Sequence, residues 1–220
     1  MTNKRTATVL GATGLVGSHL VRILQEDDTY EKIITPVRRS VNMAGEKVDE
    51  VLIDYERLDE HRDIFRVDDV FCCLGTTMKK AGSREGFEKV DFHYVVGSAR
   101  LASEEDVTRF LVVTAMMANA KSSIFYNRVK GRVEEALKSM SFHSLHIFRP
   151  SLLLGHRNEQ RLAEELGMKI LPLVSFIMVG PLRKYKPVRA EQVAVAMKAR
   201  ALQDLPGIHA WEGDSLVHLE

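Results

Sequence analysis

Cysteine, net charge and long hydrophobic runs are what this sequence has least of. Its two cysteines, Cys72 and Cys73, are adjacent within an apolar run. A structural disulfide is not expected from that arrangement, and no metal-ligand spacing surrounds the pair, so both read as buried thiols of a reducing compartment. Lys and Arg total 31 against 30 Asp and Glu, which leaves a net charge of +1. That balance argues against general binding to nucleic acid or to an anionic membrane. The first apolar run already carries glycines, so it does not read as a signal peptide, and a cytoplasmic protein is expected. The most hydrophobic later stretch, residues 170–182 (ILPLVSFIMVGPL), is broken by Pro172 and Pro181 and is too short to span a bilayer. It reads as a buried segment or pocket wall, with a partner or membrane-surface contact aided by Arg183, Lys184 and Lys186 as the alternative. Tandem repeats, low-complexity linkers, a Ser-His-Asp arrangement and a P-loop are also missing.

What is present is alternation. Apolar runs at Ala7–Leu10, Lys32–Val37, Val51–Ile53, Val70–Leu74, Phe110–Thr114 and Leu145–Phe148 are short enough for strands. Between them, residues 18–25, 87–102 and 125–140 place apolar side chains at helical spacing, and a last helix is expected over 188–202. Continuous apolar strands alternating with helices imply an α/β fold, a Rossmann-type doubly wound parallel sheet covered on both faces. The chain is long enough for one substantial core. Residues 1–150 read as a cofactor-binding core and 151–220 as a small C-terminal substrate lobe of the same domain.

The first strand runs into GATGLVG, with Gly11, Gly14 and Gly17 three apart and a helix opening behind them. The first glycine permits a tight turn, the second a close backbone approach to a pyrophosphate, and the third close helix–strand packing. Thr13, Leu15 and Val16 complete the loop whose N–H groups face the phosphates at the helix N-terminus. About 20 residues further on, NAD-binding folds place a carboxylate on the ribose 2′-hydroxyl. This chain has Arg38 and Arg39 there, two guanidiniums suited to a 2′-phosphate, so NADP(H) is expected in preference to NAD(H). Asp54, after the third strand, is placed to bond the adenine amine.

Tyr126 and Lys130 lie one helical turn apart, beside the apolar stripe of their helix. Together with the glycine loop and the arginine pair they resemble the short-chain dehydrogenase/reductase superfamily, and its atypical branch in the glycine spacing. More narrowly, FCCLGTTMKKAGSREGFEKVDFHYV and KSSIFYNRVKGRVEEAL with FRPSLLLG resemble the group containing the human Tat-interacting oxidoreductase-like protein and its bacterial and fungal relatives. The resemblance implies that Leu74, Gly75 and Thr76 run beside the cofactor's ribose and pyrophosphate, with Val90 and Asp91 on the next helix. It implies that Arg149, Pro150 and Ser151 line the nicotinamide pocket, and that Tyr126 and Lys130 form the catalytic pair.

The chemistry of such a pair follows from charge. A tyrosine with pKa about 10 is a poor base, and an ammonium beside it favours the phenolate. The resemblance implies that Tyr126 is the acid in reduction and the base in oxidation, while Lys130 also bonds the nicotinamide ribose. A third member, a serine or threonine hydroxyl, completes the superfamily's site, and Thr114, twelve residues before Tyr126, is the first choice, with Ser122 and Ser123 behind it. Met116 stands where some members carry serine. The expected function is an NADP(H)-dependent oxidoreductase of a small carbonyl or alcohol. The imperfect hydroxyl position keeps open a non-catalytic NADP-binding redox sensor or scaffold acting through a protein partner. Neither nucleic acid nor an integral membrane segment is expected, and a homo-oligomer or protein partner stays open. Glu134, Glu135 and Lys138 read as a wet helix face. His143 and His146, three apart near a strand, point to opposite faces and form no chelate. His156 and Arg157 read as a solvated loop, with contact to an anionic substrate as the alternative.

Overall fold

The computed structural model describes residues 4–43, 45–155 and 186–216. Strand β1 (Arg5–Leu10) leads through the glycine turn into helix α1 (Leu15–Gln25), then to β2 (Tyr30–Val37) and β3 (Val48–Leu52). A 3-10 segment, Tyr55–Phe65, follows, its first N–H groups capped by the Asp54 side chain, which accepts from Glu56 N at 2.9 Å. After β4 (Asp69–Cys72) come two short helices, α2 (Met78–Ala81) and α3 (Arg84–Glu88), a π-helical turn at Lys89–Tyr94, and α4 (Val95–Glu104). Then follow β5 (Arg109–Val113), α5 (Phe125–Lys138) and β6 (Ser144–Arg149). Two-residue strands β7 (Leu153–Leu154) and β8 (Val188–Arg189) pair with each other, and α6 (Ala190–Ala201) and β9 (Gly207–Glu212) close the order.

The main sheet has the order β3-β2-β1-β4-β5-β6-β9, and every pairing in it is parallel. This is a doubly wound Rossmann-type sheet whose strand order reverses between β1 and β4. Side chains alternate across it with period two. Val9, Phe71, Leu111 and Phe148 pack beneath α1 and α6, whereas Leu10, Cys72, Val112 and Ile147 pack beneath α4 and α5.

Three features differ from the sequence reading. The helix expected over 87–102 is broken into α3, the π turn and α4. A seventh strand, β9, was invisible to a search for apolar runs because it is the sheet's edge, with Ile208 and Ala210 facing outward. Helix α6 packs on α1, where Arg22 bonds Glu191 at 2.7 Å, and β9 pairs with β6, so residues 190–212, read as part of the C-terminal lobe, also complete the core sheet and its cover. The 170–182 stretch and His156–Arg157 lie outside the described residues.

Beneath α6, β6 and β9 share a polar seam. His146, fully buried, accepts from Trp211 Nε1 at its Nδ1, 3.1 Å away. Ser144 Oγ gives its proton to the Leu205 carbonyl, so at 2.9 Å it accepts from His146 Nε2. The network thus assigns a neutral ring with its proton on Nε2. The Arg200 guanidinium stacks 4.0 Å over the Trp211 ring. Burial pushes the His146 pKa down from 6.5 to about 4. The unfolded imidazole takes up its proton near 6.5, before the native one can. Stability from this group is therefore present above pH 6.5 and lost as pH falls towards 4, at up to about 1.4 kcal/mol per pH unit. Urea-unfolding midpoints should fall between pH 6.5 and 4.5, and the fall should be shallower in His146→Gln, whose side chain does not titrate.

Candidate active site

In a parallel sheet the crevice outside the strands' carboxyl ends, at the reversal of strand order, is where ligands bind. Gly11 sits there with φ +75°, and a Cβ on it would lie 2.6 Å from the Cys73 carbonyl oxygen. A Cβ on Gly17 would lie 2.3 Å from the Gly11 oxygen, so only glycine lets α1 start this close to β1. The N-cap of α1 is Gly14, which supplies no side-chain cap, and the first turn holds no acidic residue. The N–H groups of Leu15, Val16 and Gly17 are thus left for an anion, with the helix dipole behind them. Thr13 is exposed on the loop, while the Val16 side chain is buried in the core and only its main chain can serve. Together these residues form a cradle that a side chain would fill, and they fit a dinucleotide pyrophosphate.

Arg38 and Arg39 are both exposed, immediately past the end of β2. The Arg38 charge acts on Tyr55 and Tyr94, whose rings stack with centroids 5.0 Å apart, and Tyr94 Oη bonds the Glu56 carboxylate. A cation therefore stands beside an aromatic shelf at this end of the crevice. Asp54 is exposed beside it, but its carboxylate already caps the 3-10 segment.

Helix α5 presents Tyr126 and Lys130 very differently. Tyr126 is 38% exposed, its ring 5.6 Å from that of Phe87, whereas Lys130 is 5% exposed. The Lys130 Nζ meets Asp91 Oδ1 at 2.7 Å, and Asp91, itself buried, takes the Thr76 N–H on its other oxygen at 2.7 Å. Burial works to strip the ammonium of its proton, but Asp91 and then Tyr126 outweigh it and hold Lys130 above the ordinary lysine value. Gly75 faces this pair, with its Cβ direction ending 3.4 Å from Asp91 Oδ1 and 3.9 Å from Lys130 Nζ. Leu74, Gly75 and Thr76 thus stand between the glycine loop and α5. The resemblance puts Asp91 on the helix after this turn without a contact, and it is the π turn that buries it against Lys130.

Thr114 does not present a free hydroxyl. It is 4% exposed, and its Oγ1 donates to Glu134 Oε1 at 2.8 Å. Glu134 is 2% exposed, which corrects its reading as part of a wet helix face. It lies one turn beyond Lys130 on the buried side and receives Arg149 through Nε at 3.0 Å and Nη2 at 2.6 Å. The i,i+4 spacing from Lys130 was the signal available for it. Arg149 is thus tied beneath the site, with Glu212 3.6 Å from its Nη1. The Pro150 carbonyl accepts from Met116 N at 2.9 Å, and Ser151 Oγ bonds the Lys186 carbonyl, which fixes the turn after β6. Ser122 Oγ accepts from Ile124 N at 3.2 Å where α5 begins.

Residues 7–216 match the model of the NAD dependent epimerase/dehydratase family. The chain belongs to that family. It is 38% identical over 173 residues to Protein HTATIP2 of Rattus norvegicus, covering 77% of this chain and 71% of that protein. It is 35% identical over 205 residues to the mitochondrial Protein FMP52 of Meyerozyma guilliermondii, covering 90% and 86%. Among solved structures, MoeE5 in complex with UDP-glucose and NAD superposes with a TM-score of 0.70 at 13% identity, covering 96% of this chain and 79% of that one. A short chain dehydrogenase family protein from Francisella tularensis gives 0.71 at 11%, covering 98% and 100%.

Family membership supports a nicotinamide dinucleotide as the cofactor. It also corrects the cytoplasmic expectation, because fungal relatives are named as mitochondrial proteins. Among the described residues no helix is long and apolar enough to cross a membrane. The Thr114–Glu134–Arg149 network makes a stability prediction. Glu134→Ala leaves a buried hydroxyl and most of a guanidinium without their acceptor, and should lower the unfolding free energy by about 3 kcal/mol in urea titrations.

Proposed function

We propose that this family member is an NADP(H)-dependent oxidoreductase of a small carbonyl or alcohol, with Tyr126 moving the proton and Lys130 supporting it. The observation that carries this reading is the contrast on α5: an exposed phenol one turn from a buried, charged ammonium, with the ammonium facing the Gly75 turn. The dinucleotide, when bound, supplies hydride transfer at its nicotinamide. The protein must then orient the substrate and deliver a proton to the oxygen that gains charge. Tyr126 is the group open to substrate that can do so, and the adjacent ammonium stabilises the phenolate it leaves behind. Tyr126→Phe should lower kcat/KM for carbonyl reduction by about 10²- to 10⁴-fold, the usual range for one acid–base group. NADPH affinity in the same variant should stay within about twofold. Absence of turnover across a broad carbonyl panel, or turnover unchanged in Tyr126→Phe, would count against the mechanism.

The preference for NADP(H) rests on Arg38 and Arg39 immediately past β2, in a stretch, residues 36–40, that holds no carboxylate. Arg38→Ala should weaken NADPH binding about tenfold to a hundredfold, as loss of a charge-assisted phosphate contact does, and leave NADH binding unchanged. Equal losses for the two cofactors would refute a 2′-phosphate role.

One observation favours the non-catalytic alternative, a redox sensor or scaffold holding NADP: the Thr114 hydroxyl is engaged by Glu134. Tight NADPH binding with no turnover, together with co-purification of a specific protein, would support that reading. Failure to retain any partner would remove it.

A further inference from the structure

The Lys130 ammonium has a buried carboxylate against it, and the geometry of that carboxylate has a consequence for the tyrosine. We propose that Asp91 is a positioning residue of this site: it pins Lys130 against the turn after β4 and, by balancing its charge, sets how much of the lysine's field reaches the Tyr126 phenol. This rests on the reading of Tyr126 and Lys130 as the proton-handling pair.

Three features carry the proposal. Asp91 uses both oxygens, one on Lys130 Nζ at 2.7 Å and one on Thr76 N at 2.7 Å, so it joins α5 to the cofactor-side turn. The side chains of both partners are buried, 6% exposed for Lys130 and 1% for Asp91, so water does little to screen the pair. The π turn at Lys89–Tyr94 buries Asp91 alone of its six residues, and such turns insert one residue into helical register.

The other groups facing Lys130 do not replace Asp91. From α5 there is Tyr126 itself, and Glu134 one turn on is occupied by Thr114 and Arg149. From β4 there is Cys72, a thiol that burial pushes up to about 12 and so keeps neutral. Removing the Asp91 charge has two effects of one sign. The unbalanced ammonium draws the phenol towards phenolate, and the ammonium, buried without a counter-ion, sheds its own proton more readily. Carbonyl reduction needs the phenol protonated and the lysine charged, so either effect moves its alkaline limit to lower pH.

The test is an NMR titration with ¹³Cζ-tyrosine and ¹⁵Nζ-lysine, the two resonances assigned through Tyr126→Phe and Lys130→Met. The two groups titrate as a coupled pair, so the readout is the pH at which the first proton leaves it. In Asp91→Asn that step should come about one pH unit or more below its wild-type position. An unchanged or higher position overturns the proposal and leaves Asp91 a purely structural residue. The wild-type protein supplies a check that needs no variant: Lys130 should keep its proton at pH 10, and losing it below that pH overturns the proposal even if Asp91→Asn does not fold. Neither readout needs turnover, so a shifted titration in a protein that reduces no carbonyl would sink the oxidoreductase reading and spare Asp91. Turnover with an unshifted titration would do the reverse.

Discussion

All seven strands of the main sheet run the same way, and most of what can be said about the site depends on that constraint. Parallel pairing forces each connection to cross back over a face of the sheet, so the loops that leave the strands' carboxyl ends gather along one edge. Gly11 follows β1, Arg38 follows β2, Gly75 follows β4, and Pro150 follows β6. No two of these positions are near each other in sequence, yet they share one crevice because the strand direction leaves them nowhere else to go.

The second consequence of such a sheet is that both its faces are dry. A charge placed under either layer of helices must bring its partner with it. The described residues follow that rule at both ends of the strands. At the amino ends, Asp69 is fully buried and takes the Tyr30 hydroxyl at 2.7 Å and the Arg109 guanidinium. At the carboxyl ends, Lys130 has Asp91, and Glu134 has Arg149 and the Thr114 hydroxyl. The first cluster is remote from the crevice and reads as stability. The other two lie on successive turns of α5, so the helix that carries the exposed tyrosine is anchored to β5, to β6 and to the π turn.

This arrangement also explains why the superfamily-like hydroxyl could not be located by spacing. Thr114 stands at the interval where such a residue is sought, but its main-chain N–H bonds the Phe148 carbonyl at 2.8 Å and its hydroxyl turns to Glu134. A buried carboxylate that already receives a guanidinium still has lone pairs to fill, and a hydroxyl at hydrogen-bond distance fills one. The interval along the chain carries no information about that competition.

By itself the sequence determined the features that depend on neighbours along the chain: the alternation of apolar strands with helices, the glycine turn opening α1, the arginines after β2, and Tyr126 one turn before Lys130. Each follows from a period of two or 3.6 or from the space a glycine leaves, and a few consecutive residues are enough to show it. Only the tertiary structure decided that β9 joins the sheet, that Glu134 is buried, and that Asp91 meets Lys130. The edge strand β9 lacks an apolar run, and a carboxylate looks the same in sequence whether water or an ammonium faces it. The burial that makes such a charge matter is created by segments far apart in the chain, so its role becomes visible only once they have packed.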